Sequence, residues 1–252
     1  MFLEKMTTAQ AAEAFQQDPI AIIPVGSTEQ HGPQCALGTD FLVPRYLAEQ
    51  VADMDRVIIL PTVPFGVCGY HMSFPGTIDL GYEGLYLVMS RITESMLRHG
   101  VRRFVVINGH GGNTPALDRA SLDVYQKGGI MCSIDWWSVV GQIDSRFANG
   151  GHGDILETSA MMAVDPEAVD LSLCRDMSPV NPLDNMSAQY IQVVNYQGGS
   201  IRIARDTKEL APSGWFGPGD PRDSTPEHGK AMLDVFANYL RQFLVDYRKL
   251  LP

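Results

Sequence analysis

Ile20-Ala21-Ile22-Ile23-Pro24-Val25-Gly26-Ser27-Thr28-Glu29-Gln30-His31-Gly32-Pro33 is the stretch from which the fold is read. Its first six residues are apolar, mostly β-branched and stopped by a glycine, which predicts a short buried strand over 20–25. The polar run behind it then lies at a strand's carboxyl end. The pattern recurs, with further strands predicted over 57–60, 104–107 and 130–135. Helical spacing of apolar residues predicts helices over 7–17, 40–51, 83–99, 115–127, 155–163 and 225–248. Strands alternating with helices make βαβ units. The expected fold is therefore α/β, a single domain over 1–252 with a mainly parallel sheet and helices on both faces. Two Gly/Pro-rich stretches interrupt it. Residues 61–82 form a loop long enough to suggest function, and 172–222 read as irregular.

The chain has 252 residues, 45% of them apolar, enough to bury a core of this size undivided. Acidic residues number 29 against 19 basic ones, a net charge of −10. That balance argues against nucleic acid, because each bound phosphate calls for a neutralising Lys or Arg. No apolar run approaches the roughly 18 residues of a membrane span, so no membrane partner is expected. The opening Met1-Phe2-Leu3-Glu4-Lys5 lacks the basic-then-apolar layout of a signal peptide. Cys35, Cys68, Cys132 and Cys174 are scattered without a Cys-x-x-Cys pair, which fits reduced thiols in a cytoplasmic protein.

Two polar segments follow predicted strands, and so share the rim where ligands of open α/β sheets bind. Residues 26–33 lead on to Asp40, and Asn108-Gly109-His110-Gly111-Gly112-Asn113 follows the third strand. Together they offer Glu29, His31, Asp40 and His110, two carboxylates and two imidazoles. Zinc, manganese or iron suits that mixture better than calcium, which takes all-oxygen shells. Glu29 and His31, at i and i+2 of an extended segment, point to one side. Asp40 at a helix start could bridge two ions. By themselves these residues leave other readings open: Asp40 could be only its helix's N-cap, and His110 a turn residue among glycines.

The motifs taken in order resemble the creatininase family of amidohydrolases. They are Pro24-Val25-Gly26-Ser27-Thr28-Glu29-Gln30-His31-Gly32-Pro33, Leu37-Gly38-Thr39-Asp40, and His71-x-x-Phe74-Pro75-Gly76-Thr77. Asn108-Gly109-His110-Gly111-Gly112-Asn113, His152-Gly153 with Glu157-Thr158-Ser159, and Gly217-Pro218-Gly219-Asp220-Pro221 complete the set. The resemblance implies a hydrolase that opens C–N bonds other than ordinary peptide bonds, with two divalent ions per subunit (Zn, Mn or Fe). It implies that Glu29 and His110 bind one ion, His31 the other, and that Asp40 bridges them. A water activated by the pair attacks an amide-type carbonyl. His152 is the expected acid for the leaving nitrogen, since an imidazole titrates near neutrality. Expected substrate contacts are His71, Ser73, Gly111, Trp137 and His152.

Three departures from creatininase proper bear on site and substrate. The family's glutamate ligand two residues beyond the His110 position is here Gly112. Glu157 is expected to fill that vacancy as ligand and catalytic residue, the alternative being that it only orients another ligand. Ala148 stands where a second pocket tryptophan would accompany Trp137, and Gly151 replaces an acidic residue before His152. Creatinine is therefore a doubtful substrate, and a formamide, another small amide or a modified peptide is favoured. The alternatives are a creatinine amidohydrolase proper, a two-metal phosphoesterase, and a non-catalytic metal-dependent binding protein. Against phosphate esters, Arg45 and Arg102 are the nearest basic residues and form no cluster. His99 is expected as a cation at a helix end, and His228 as an exposed residue. Phe65, Tyr70, Phe74, Tyr190, Tyr196, Trp215 and Phe216 in the two long loops would form a large apolar patch if left in solvent. Packing within the chain could absorb some of them; burial between subunits would cover them otherwise, and the resemblance points to a homo-oligomer, a hexamer, with loop residues of one chain walling the neighbour's active site.

Overall fold

The computed structural model describes residues 1–250. It runs α1 (Thr8–Phe15), β1 (Ile20–Val25), α2 (Thr39–Glu49), β2 (Val57–Ile59), α3 (Gly81–Arg98), β3 (Arg103–Asn108), α4 (Thr114–Gln126) and β4 (Ile130–Asp135). Then follow α5 (Trp136–Ile143), α6 (Ile155–Val164), β5 (Met186–Tyr190), β6 (Val193–Tyr196), β7 (Gly199–Arg202), α7 (Thr207–Leu210) and α8 (Pro226–Tyr247). Thr7 opens α1 with a reciprocal capping box to Gln10. Gly100, at φ 92°, turns the chain out of α3.

The first four strands form one parallel sheet in the order β2-β1-β3-β4. Ile20 lies beside Val57 on one side and Arg103 on the other, and Arg103 beside Ile130. Every residue of β1 and β3 is buried, because helices cover both faces. The period-two alternation sorts them. Ile20, Ile22, Val105 and Ile107 pack against Val43 and Leu47 of α2 and Phe236 and Leu240 of α8. Ala21, Ile23, Phe104 and Val106 pack against Leu85 and Met89 of α3 and Leu117 of α4. Burying each large side chain is worth roughly 1.5–3 kcal/mol, so the central strand pair anchors both layers.

Two stretches depart from the sequence reading. Residues 136–143 form α5 directly after β4, an eight-residue helix that the sequence reading did not separate from the strand before it. The segment 172–222, expected to be irregular, holds α7 and a second sheet, the antiparallel β5-β6-β7. All four residues of β7 are exposed, so no inward–outward alternation marks it as a strand. Of the loop aromatics, Trp215 and Phe216 are the ones that packing within the chain absorbs. Trp215 Nε1 donates to the Arg175 carbonyl at 2.7 Å. Phe65 and Tyr190 remain exposed. Among the described residues no helix is long and apolar enough to cross a membrane.

Candidate metal centre and active site

Because β1 and β3 are neighbours, the segments leaving their carboxyl ends lie side by side. The start of α2 settles onto both. A Cβ at Gly26 or at Gly109 would overlap the Asp40 carbonyl, so two glycines are what allow that close approach. Asp40 lies in the first turn of α2, whose N-cap is Gly38, so the reading of Asp40 as a mere cap fails. Asparagines brace the His110 turn. Asn108 Oδ1 accepts the His110 N–H at 3.2 Å, and its Nδ2 donates to the His110 carbonyl at 2.8 Å. Asn113 donates to the Gly26 carbonyl at 3.0 Å and accepts from the Val67 N–H at 2.9 Å, which ties in the 61–82 loop.

Asp40 sits between two imidazoles. Its Oδ1 lies 2.9 Å from His31 Nε2 and its Oδ2 3.1 Å from His110 Nδ1. Glu29 Oε1 lies 3.1 Å from the same His110 nitrogen, and Glu157 Oε2 3.4 Å from the same His31 nitrogen. The remaining ring nitrogens face backbone carbonyls. His31 Nδ1 is 3.1 Å from the Glu29 oxygen and His110 Nε2 is 2.8 Å from the Val67 oxygen. Each ring can thus donate outward to a carbonyl and leave its other nitrogen, beside the carboxylates, for a proton or a metal ion, the arrangement typical of metal-binding histidines. Glu29, Asp40 and His110 form one compact donor set, and His31, Asp40 and Glu157 another. A third set, Glu29, His31 and His152, overlaps both. Both Glu29 oxygens and Asp40 Oδ2 are buried yet accept no hydrogen bond. Stranding carboxylate oxygens in this way is costly unless cations meet them, so the donors fit divalent ions.

Protonation follows the same geometry. Burial pushes Glu29 upward, and burial pushes Glu157 up to about 8. Burial acts on Asp40 too, but His31 and His110 outweigh it and hold its carboxyl well below the usual range. For His31 and His110 burial opposes charge, yet the surrounding carboxylates raise both well above an ordinary imidazole. His71 and His152 go the other way, depressed by burial first and by neighbouring imidazoles second.

His152 and His71 close over this cluster. His152 Nδ1 lies 3.9 Å from Glu29 and 4.0 Å from Glu157, and its ring stacks on His71 at 4.4 Å. His71 Nε2 is 3.4 Å from Glu29. Beyond them opens a cavity of about 880 Å³ lined by Asp40, His110, Gly111, Trp137, Ala148 and Glu157 among others. Ser73 is exposed and is not among the residues that line it. A Cβ at Gly112 would overlap the Val67 carbonyl, so nothing larger fits where the family glutamate would stand. At Gly151 a Cβ would likewise overlap the Phe216 carbonyl. His99 caps α3 and stacks on Phe15. His228, expected to be exposed, is half-buried beside the Phe147 ring at 5.3 Å.

Four residues of the site were missed in the sequence reading. Gln30 places its amide nitrogen 3.0 Å from His71 Nδ1 and 2.9 Å from His152 Nε2, and its Oε1 accepts the Gly32 N–H. Its position between two ligand candidates was the available signal. Tyr70 sets its hydroxyl 3.2 Å from His110 Nε2, and its adjacency to His71 was a weaker one. Tyr190 and Arg202 enter the cavity wall from the small sheet, and nothing in the sequence pointed to either as a lining residue.

Known proteins share this chain's sequence and fold. Residues 4–244 match the family described as creatininase, creatinine amidohydrolase. The mycofactocin precursor peptide peptidase of Mycolicibacterium smegmatis is 32% identical over 195 residues, 72% of this chain and 73% of that protein. The 3-dehydro-scyllo-inosose hydrolase of Thermotoga maritima is 30% identical over 190 residues, 71% of this chain and 61% of that protein. In fold, the solved structure named creatininase Mn superposes with a TM-score of 0.77 at 23% identity, covering 99% of both chains. With a family match that runs through both sheets and every carboxylate and imidazole of the cluster, the chain belongs to the creatininase family.

Proposed function

We propose that this metal-dependent amidohydrolase opens the C–N bond of a small amide, cyclic amide, formamide or modified peptide, using two divalent ions per subunit. The carrying observation is Asp40, whose two oxygens face the ligating nitrogens of His31 and His110 from between them. Glu29 and His110 would hold one ion with Asp40, and His31 and Glu157 the other. Glu157 takes the part of the missing glutamate because Gly112 has no room for a side chain. Zinc, manganese or iron suits these donors. When bound, the ions supply Lewis acidity and a water of lowered pKa.

The chain's own residues orient and move protons. The Glu29 and Val67 carbonyls fix the tautomers of His31 and His110. His152, depressed by burial, is neutral near pH 7 and so acts first as a base. Its Nδ1, which faces the carboxylates, would take a proton from the attacking water as the oxygen bonds to the carbonyl carbon, and then deliver that proton to the leaving nitrogen as the C–N bond breaks. Gln30 and the stacked His71 hold its ring. A cavity of about 880 Å³, with Ala148 in its wall, has room for a peptide-sized ligand. That supports a peptide-like substrate over creatinine, in keeping with the peptidase relative. We also take the enzyme to be a cytoplasmic homo-oligomer, a hexamer. Exposed Tyr82, Leu87 and Val88 on α3, with Leu122 and Tyr125 on α4, support an apolar face covered by another copy.

Two measurements test this reading. Metal analysis of Glu157→Gln is expected to fall from two ions per chain to one, and an unchanged count removes Glu157 from the ligand set. A hydrolysis panel with Mn²⁺, Zn²⁺ or Fe²⁺ should free an amino group from formamides, lactams or modified peptides. Turnover confined to phosphate esters or to carbocyclic ketones would overturn the C–N assignment. Light scattering that gives the mass of one chain, with full activity, would dispose of the oligomer.

A further inference from the structure

The small sheet gives the cavity a wall that the ligand chemistry does not use. In its register, Val193 of β6 pairs with Tyr190 of β5 and with Arg202 of β7. Directly opposed residues stand on one face, and all three line the cavity. Val194, the next residue, is fully buried on the other side. Ile191, Leu210, Ala211 and Phe216 form the apolar cluster at the base of this unit.

Arg202 is the single lysine or arginine among the cavity-lining residues. Several surface arginines are engaged, Arg45 with Glu49, Arg146 with Asp144 and Arg222 with Asp176, while exposed Arg98 and Arg175 form no ion pair among the described residues but do not line the cavity. Among the described residues the Arg202 guanidinium has no ion-pair or hydrogen-bond partner. It is a planar, permanently charged fork that matches the two oxygens of a carboxylate. With no second basic residue in the lining, the wall balances one negative charge rather than two.

We propose that Arg202 binds a carboxylate on the substrate, so that the enzyme selects amide-type molecules of about dipeptide size with one free carboxylate. A ligand of that size matches the cavity, which lies in the upper part of the range for drug-sized ligands. Trp137 and Tyr190 add aromatic surface to the same cavity. The reaction part of this assignment rests on the hydrolase reading above, whereas the binding part does not.

The test uses a matched pair of probes, N-acetyltyrosine and N-acetyltyrosinamide, which differ only in the carboxylate. Binding to the full-length, metal-loaded protein is read from quenching of the cavity tryptophans, and cleavage from release of tyrosine or its amide. Wild type should favour the carboxylate roughly tenfold, the scale of one charge-assisted contact at a partly open site. Arg202→Ala should bring the ratio to about one, and Arg202→Glu should invert it. Arg202 is exposed and unpaired, so neither change threatens folding. Equal binding of the two probes by wild type overturns the proposal, as does a preference that survives in both variants. An Arg202-dependent binding preference without cleavage of either probe would uphold the carboxylate site while counting against the hydrolase reading for this amide class.

Discussion

β1 and β3 are buried at all six positions each, whereas β7 is exposed at all four. The central pair carries at its carboxyl ends a cluster whose donors are fixed by backbone carbonyls, asparagine amides and glycines that admit no side chain. The outer sheet brings only side chains to the cavity, from a unit held by one small apolar cluster. The contrast separates two tasks. The parallel sheet fixes where bond cleavage takes place, and the antiparallel one shapes what reaches it.

If that separation holds, damage should scale with closeness to the central pair. Asp40→Asn should have the largest effect, because one residue serves both donor sets. Hydrolysis should fall on the order of a thousandfold, and metal analysis should give fewer than one ion per chain. Retention of two ions would break the comparison at its strongest point. Gly112→Ala should come next. The added methyl overlaps the Val67 carbonyl that orients His110. Metal affinity should drop about 10–100-fold and stability by about 1–3 kcal/mol, measured by metal titration and by urea unfolding.

A pH scan of the metal-free protein sharpens the same point. Glu29, Glu157, His31 and His110 are all raised in the folded state, so they keep protons that the unfolded chain has released. Their contribution to stability is therefore lost as pH rises. His71 and His152, depressed by burial, act with the opposite sign only below their ordinary value of 6.5. Asp154, pushed up to about 6 by burial, is mostly ionised by then. Between pH 6.5 and 8 the metal-free protein should lose thermal stability, and saturating Zn²⁺ or Mn²⁺ should abolish that slope, as followed by calorimetry. A flat metal-free profile would contradict the cluster's electrostatics. The smallest effect is expected in the outer sheet. Ser200→Ala removes an exposed hydrogen bond to Gln189 and should change stability by no more than about 0.5 kcal/mol in urea unfolding.

The central half was legible in the sequence because burial on both faces writes itself as continuous apolar runs. Ile20–Val25 and the apolar core of Arg103–Asn108 fall where the runs do, and Glu29, His31, Asp40 and His110 meet where parallel strands end. The outer sheet left no such trace. Its strands are short, polar and half in solvent, so neither period nor β-branched enrichment stands out. Tyr190 and Arg202 were missed for the same reason, since their roles depend on a pairing register that no local pattern encodes. Trp215 stayed ambiguous because an aromatic residue in a loop looks alike whether the chain or a partner covers it.

The way the small sheet is attached also has a consequence for time. Backbone amides of β1 and β3 become accessible only when both helical layers part, so their hydrogen exchange should track global unfolding. Those of β5 and β7, at open edges above a cluster of four buried residues, can exchange through a local opening that leaves the ligand cluster intact. The cavity wall can therefore swing on a faster clock than the cluster of carboxylates and imidazoles. A bulky substrate could enter and its fragments leave by way of that wall, with no need for Asp40 or the two histidines to move.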